Sequence, residues 1–343
     1  MKIFIGAALA LGLAALYAIH TKFLIAEETF GDRLSKIARE VNAQGGSWKA
    51  AEYKDWSKYT LQQAKRLNSL IRTPPPSHWE RKTYTEEEVL AAPASFDSRQ
   101  QWPNCPSISL IRDQSDCGSC WAFGAAEAMS DRVCIKSGQT DQTLISSEDI
   151  MECCFSCGNG CNGGSIQGPW EYFRQTGVVS GGLYGDMTTC KPYDFPPCAH
   201  HTTSATYPPC PSTDYNTPSC KKKCNPQYPK AYNDDKHYGA TAYAVRGASA
   251  MATEISTNGP IEAAFTVYED FLTYQSGVYV HTSGQQLGGH AIRMLGYGTL
   301  NGVDYWLCAN SWNETWGANG YFMIKRGVNE CGIEGTNYAG IAK

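Results

Sequence analysis

The spacing of apolar residues changes several times along the chain, and each change marks a boundary. After Lys2 an apolar stretch runs from Ile3 to Ile19 with little interruption. Residues 28 to 72 are different: in "DRLSKIARE" and "TLQQAKRLNSLI" the apolar positions recur at helical steps, with Leu61, Ala64, Leu67, Leu70 and Ile71 predicted on one face. "TPPP" at 73 to 76 ends that pattern, and the Ala-Pro stretch around residue 93 reads as an exposed linker. Beyond it, Ala122, Phe123, Ala126, Met129 and Val133 fall three and four apart. They predict a helix that begins at or just before Cys120 and stops near Gly138. From about residue 240 short β-prone runs take over, "PIEAAFTVY", "SGVYV", "GHAIRMLGYG", "DYWLCANSW" and "GYFMIKR", separated by Gly, Asn and Asp. A helical half followed by a sheet-rich half predicts an α+β plan with a cleft between two lobes.

The leading apolar run, with Ala14, Ala15 and Ala18 near its end, reads as a signal peptide over residues 1–19, since it is short for a bilayer span and no later segment approaches one. No stable membrane anchor is expected. A net charge of -4, with Lys221 to Lys223 as the one basic run, gives no electrostatic footprint for nucleic acid.

Secretion makes the cysteines legible, because disulfides persist in oxidising compartments. The chain has 15 of them, and the first is Cys105. A cysteine-free leader joined by a linker to a cysteine-dense body predicts a propeptide over residues 20–92 and a product over residues 93–343.

"DQSDCGSCWAF", residues 113–123, sets two cysteines three apart. A redox couple, half a zinc site, a staple, and one bridged beside one reactive thiol all fit that spacing. A thiol at a helix start sits where unpaired amides and the helix dipole favour negative charge, so Cys120 is expected to have a lowered pKa. Hydrolysis by such a thiolate also requires a proton shuttle and a group to orient it. His290 in "GGHAIRMLGYG" and Asn310 in "CANSWNETWG" are the candidates in the β-prone half, with Trp312 positioned to shield their hydrogen bond. Gln114, six residues before Cys120, can aim an amide donor at a developing oxyanion.

"CGSCW" fits the CG[SA]C[WY] signature of papain-like enzymes. From "PASFDSRQQWPNCP" to "ECGIEG" the chain resembles the cathepsin B group of papain-like cysteine peptidases, as a full-length precursor. The resemblance implies a two-lobed papain-like fold, with a helical left lobe and a β-barrel-like right lobe, and no cofactor. It implies Cys120 as nucleophile, His290 as general acid and base, Asn310 as the orienting residue, and an oxyanion hole formed by Gln114 and the Cys120 amide. His290 and Asn310 lie about 170 and 190 residues beyond Cys120, more than the roughly 130–150 of the family pattern. Part of the excess is "CAHHTTSATYPPC", residues 198–210, which resembles the occluding loop of that group. There His200 and His201 would bind a substrate's C-terminal carboxylate, conferring dipeptidyl carboxypeptidase activity beside endopeptidase activity.

The same resemblance implies disulfides joining Cys105 with Cys134, Cys117 with Cys161, Cys153 with Cys220, Cys154 with Cys157, Cys190 with Cys224, and Cys198 with Cys210. Cys120 would stay free, with Cys308 and Cys331 left over. Gly163, Gly164 and Gly289 would offer bare backbone to an extended peptide. Ser165, Ile166, Ala264, Ala291 and Thr336 would line the second specificity pocket, and Trp312 the leaving-group side. Thr336 stands where many relatives carry an acid, so apolar or aromatic residues are expected there over arginine. Of the two ion pairs that latch the family's loop, Asp113 with His200 is retained, and Tyr207 and Thr315 replace the other. The loop is therefore expected to open as His200 loses its proton. Asn313, in "NET", is the one sequon without an intervening proline. The implied partners are protein and peptide substrates, the chain's own propeptide as inhibitor, and cystatin-type inhibitors. The enzyme is expected to be monomeric, activated by acid, and found in lysosomes or outside the cell, the gut lumen included.

Overall fold

The computed structural model describes residues 28–51, 60–77, 79, 81–200, 204–211, 213 and 215–343. The signal peptide and His201 lie outside them. In chain order the helices are α1 (Phe30–Gln44), α2 (Leu61–Leu67), α3 (Glu86–Ala91), α4 (Ser98–Gln101), α5 (Cys120–Lys136), α6 (Ser147–Cys153), α7 (Gln167–Gln175) and α8 (Ala248–Asn258). The strands are β1 (Trp48–Ala50), β2 (Phe96–Asp97), β3 (Tyr243–Arg246), β4 (Ile261–Tyr268), β5 (Tyr274–Tyr279), β6 (Gln286–Leu300), β7 (Val303–Ala309), β8 (Tyr321–Lys325) and β9 (Thr336–Ala339).

Central to the first lobe is α5, which is apolar on nearly every face and is buried from Cys120 to Cys134. A helix buried all round has to pair its charged residues internally. Arg132 therefore reaches Glu254 at 2.7 Å, and Asp131 receives Arg293 at 3.0 Å. The helix ends at Ser137, and Gly138 follows at φ +69°, a left-handed position that glycine adopts without strain. Phe123, Met129, Ile150, Trp170 and Phe173 form one core around it.

The second lobe is a nine-stranded sheet in the order β1-β5-β8-β7-β6-β4-β9-β3, with β2 on β6. It has two ends, β1 and β3, and so does not close into a barrel. Its second core gathers Phe265, Phe271, Trp306, Trp316 and Phe322. Six disulfides brace the body: Cys105–Cys134, Cys117–Cys161, Cys153–Cys220, Cys154–Cys157, Cys190–Cys224 and Cys198–Cys210. Cys120, Cys308 and Cys331 are free thiols.

The N-terminal segment is built into this body. Helix α1 is fixed by a capping box between Thr29 and Asp32 and buries Leu34, Ile37, Ala38 and Val41. β1 then pairs antiparallel with β5, and Arg33 bonds Glu269 at 2.6 Å. Farther on, Arg81 bridges to Ala244 and Lys82 N–H donates to the Ala244 carbonyl, which covers the opposite end of the sheet. Leu70 and Ile71 are not on a helix. Helix α2 stops at Leu67 because the next residues give their amides to the body: Leu70 N–H to the Gly289 carbonyl at 3.0 Å, and Ile71 N–H to that of Gly164 at 2.8 Å.

Candidate active site

Three chain segments converge on the cleft. Cys120 is the first residue of α5. His290 lies in β6 opposite Phe265, and Asn310 follows directly after β7. Gln114 is drawn in by its own amide, which donates to the Ser311 carbonyl at 2.9 Å, and by the adjoining Asp113–Trp312 bridge.

His290 Nε2 meets Asn310 Oδ1 at 2.7 Å. That oxygen also accepts the Ser311 N–H at 2.8 Å, which fixes the amide's orientation and leaves its oxygen toward the imidazole. Trp312 lies over the imidazole with ring centres 4.9 Å apart, and Asn310, Trp312 and His290 are all fully buried. With Nε2 engaged, His290 Nδ1 is a buried nitrogen that makes no well-formed hydrogen bond among the described residues. The sulfur of Cys120 is approached by the backbone N–H of Ala291, the next residue along β6.

The thiol differs from the sequence-based expectation. Burial pushes it up to about 12, against the opposing pull of the Ala291 amide and the amides at the helix start. Desolvation penalises the thiolate more than one helix end favours it. Burial likewise holds the His290 imidazole down to about 4, although Asn310 and the Leu67 carbonyl favour its charged form. In this closed state both groups are neutral.

The lid responsible is the N-terminal segment. Gln114 Nε2 donates to the Cys117 carbonyl at 2.8 Å and lies 3.4 Å from that of Leu67, while Gln114 Oε1 accepts from Ser311 Oγ at 2.7 Å. Ser69 Oγ donates to the Gly118 carbonyl. A Cβ on Gly163 would sit 2.2 Å from the Ser69 carbonyl oxygen, and Gly163 has φ +103°. A Cβ on Gly289 would press on Leu70. Gly164 needs glycine for another reason, because its Cβ would lie 2.5 Å from the Trp121 ring inside the lobe. Leu70 is buried in the same apolar cluster as Ile166, Ala264 and Ala291. Ser165 is buried beside Ile166, and its hydroxyl donates to the Cys157 carbonyl. Thr336 opens β9, opposite Arg246.

At one end of the cleft the 198–210 loop is tied to Asp113. His200 Nε2 meets Asp113 Oδ1 at 2.5 Å, and Cys198 N–H donates to Oδ2 at 3.1 Å. Asn313 Nδ2 donates both to Asp113, at 2.9 Å, and to the Cys198 carbonyl, at 2.7 Å. The sequon nitrogen is thus occupied, and Asn313 is only 2% exposed, so this arrangement has no room for a glycan. Sequence reading did not find Asn313 as a loop clamp. It also missed the bond from Tyr207 Oη to Glu314 at 2.7 Å, which gives Tyr207 a polar partner in the absence of an ion pair there.

Residues 92–341 match the model of the papain family cysteine proteases, and the chain belongs to that family. Within it the likeness is to cathepsin B. The chain is 51% identical over 315 residues to cathepsin B-like cysteine proteinase 4 of Caenorhabditis elegans, covering 90% of this chain and 92% of that protein. It is 55% identical over 270 residues to cathepsin B-like cysteine proteinase 5 of the same organism, covering 75% and 78%. Among solved structures, procathepsin B S9 of Trypanosoma congolense superposes with a TM-score of 0.77 at 36% identity, covering 90% of this chain and 98% of that one. A digestive procathepsin L2 from the larval midgut of Tenebrio molitor gives 0.66 at 25% identity, covering 96% and 99%. The fold is that of a cathepsin B-like cysteine protease in proenzyme form.

Proposed function

We propose that residues 20–92 form an inhibitory pro-segment and residues 93–343 a peptidase that works through Cys120, His290, Asn310 and Gln114. The observation that carries the reading is the His290–Asn310 bond, with the amide of Ala291, the next residue, at the Cys120 sulfur and a backbone carbonyl near the Gln114 amide. Once the groove is open and wet, water and the helix-start amides lower the cost of the thiolate, and His290 Nδ1 takes the thiol proton. Sulfur attacks the peptide carbonyl. Gln114 Nε2 and the Cys120 N–H receive the oxyanion, and His290 passes its proton to the leaving amine. His290 then removes a proton from water, which attacks the thioester and releases the acid product and the thiol.

Substrates are proteins and peptides held extended along Gly163, Gly164 and Gly289. An apolar side chain fills the pocket of Ser165, Ile166, Ala264, Ala291 and Thr336, and in the closed form Leu70 is buried in the same apolar cluster as Ile166, Ala264 and Ala291. Trp312 borders the leaving group. The 198–210 loop restricts that end of the groove, where His200 and His201 take a C-terminal carboxylate and give dipeptidyl carboxypeptidase activity beside internal cleavage.

Acid releases the pro-segment. Burial works to raise the Glu254 carboxyl, but the Arg132 charge and hydrogen bonds from Tyr84, Arg132 and Tyr243 outweigh it and hold it below its ordinary 4.5. The Tyr84 bond belongs to the pro-segment, so the part of that lowering that Tyr84 supplies holds the pro-segment while the carboxyl is ionised and is lost as pH falls through the lowered value. An acidic vesicle, a lysosome or an exported setting such as a gut lumen suits this activation, and cystatin-type inhibitors suit the open groove. The test is acid treatment followed by an epoxide thiol inhibitor. Labelling mapped to Cys120, with loss of peptidase activity, is the expected result. Activity that survives Cys120→Ser overturns the reading.

A further inference from the structure

The mechanism makes no use of Asp116, a carboxylate in the loop between the oxyanion donor and the nucleophile. In the closed form Arg66 Nη2, in the last turn of α2, meets Asp116 Oδ2 at 2.8 Å, with side chains 10% and 1% exposed. The other oxygen, Asp116 Oδ1, is buried without a hydrogen-bond partner among the described residues. Burying a carboxylate is costly unless a cation accompanies it, so this site is built around a positive charge.

Its place in the groove follows from its neighbours. Arg66 immediately precedes Leu67, whose carbonyl lies near the Gln114 donor. A Cβ on Gly118 would stand 2.7 Å from the Arg66 carbonyl oxygen and 2.4 Å from Ser69 Oγ, so the pro-segment runs directly over the Asp116–Gly118 wall. The wall itself is rigid. Cys117 is bonded to Cys161, Gly118 N–H donates to the Cys161 carbonyl, and Ser115 is tied to Asp113 and to the Pro196 carbonyl. Departure of the pro-segment therefore removes the cation and leaves the carboxylate where it was.

We propose that Asp116 is a specificity element of the open groove, which takes the guanidinium or ammonium group of a substrate residue flanking the scissile bond. The inference rests on the reading of this cleft as a peptidase groove. Two chemistries then divide between two places: an apolar side chain among Ile166, Ala264 and Ala291, and a basic one against residues 116–118. Arginine suits the second place because a planar fork can satisfy both carboxylate oxygens, including the one Arg66 leaves unpaired.

The test uses the processed enzyme and fluorogenic peptides with phenylalanine for the apolar pocket. Each pair of peptides carries arginine or its neutral isostere citrulline at one position just before, just after, or second after the cleaved bond. At one of these positions kcat/KM for arginine exceeds that for citrulline by about tenfold, the worth of one charge-assisted bond, and Asp116→Asn brings the ratio near one. A ratio that Asp116→Asn does not change at any position overturns the proposal. Failure to cleave either peptide of every pair would instead sink the peptidase reading. A second measurement needs no altered enzyme. A peptide of residues 60–73 inhibits the wild-type processed form, and replacing Arg66 by citrulline raises its inhibition constant about tenfold at low salt. An unchanged constant likewise refutes the role of Asp116.

Discussion

The Leu67 carbonyl oxygen lies 3.4 Å from Gln114 Nε2, so the chain carries within itself a backbone carbonyl at the donor proposed for the reacting one. Ser311 Oγ, bonded to the opposite end of the same amide, holds the donor in that direction. In Gln114→Ala that donor is lost while the Cys117–Cys161 staple remains. We expect kcat/KM to fall on the order of 100-fold, mostly in kcat. Steady-state kinetics of the acid-processed variant check this, and a loss confined to KM would contradict it.

Burial of His290 predicts how the closed form responds to acid. In a Cys120→Ser enzyme the imidazole has no thiol with which to exchange a proton. The closed complex needs it neutral, held down to about 4, whereas the open groove lets it take a proton near an ordinary histidine value of about 6.5. Binding of the pro-segment is then at full strength above about pH 6.5 and weakens as pH falls toward 4, by on the order of 100-fold. Calorimetric titration between pH 7 and 4 measures it, and constant affinity would refute it.

The Cys120 thiol, pushed up to about 12 beneath the pro-segment, is predicted to be nearly inert before activation. At pH 6 its alkylation by iodoacetamide should accelerate on the order of 1,000-fold after processing, since only the thiolate reacts. Equal rates in the two forms would show that desolvation does not silence it.

In the apolar pocket proposed above, Thr336 supplies no acid. Matched substrates with phenylalanine or arginine in that pocket should favour phenylalanine. Thr336→Glu should raise the arginine-to-phenylalanine ratio about tenfold through one new charged pair. Faster arginine turnover by the unaltered enzyme would reverse this assignment.

His200→Ala removes the 2.5 Å contact to Asp113 but leaves the Asn313 clamp on Cys198. The ratio of internal cleavage to dipeptide removal should rise several-fold, read with internally quenched substrates having blocked or free C-termini. Tyr207→Phe loses only an exposed bond to Glu314, and exposed polar pairs contribute little. Its effect on that ratio should stay under about twofold.

Local pattern carried much of this protein. The three- and four-residue spacing from Ala122 to Val133 predicted α5, because a helix repeats its faces within a single turn. Alternating, branched and aromatic runs predicted the strands that hold His290 and lead to Asn310. A fifteen-cysteine composition marked the body apart from its leader.

Other properties depended on distant segments meeting. Leu70 and Ile71 fit a helical repeat, yet they extend because Gly289 and Gly164 offer carbonyls that a helix would forgo. The start of α5 favours a thiolate, yet the closed cleft strips Cys120 of water and reverses the sign. Gly164 meets the Trp121 ring, and Asp116 meets Arg66, only after folding. Periodicity and capping act over a few neighbouring residues and can be read from their order. Desolvation and paired charge depend on what lies alongside in space, and only the tertiary structure decides that.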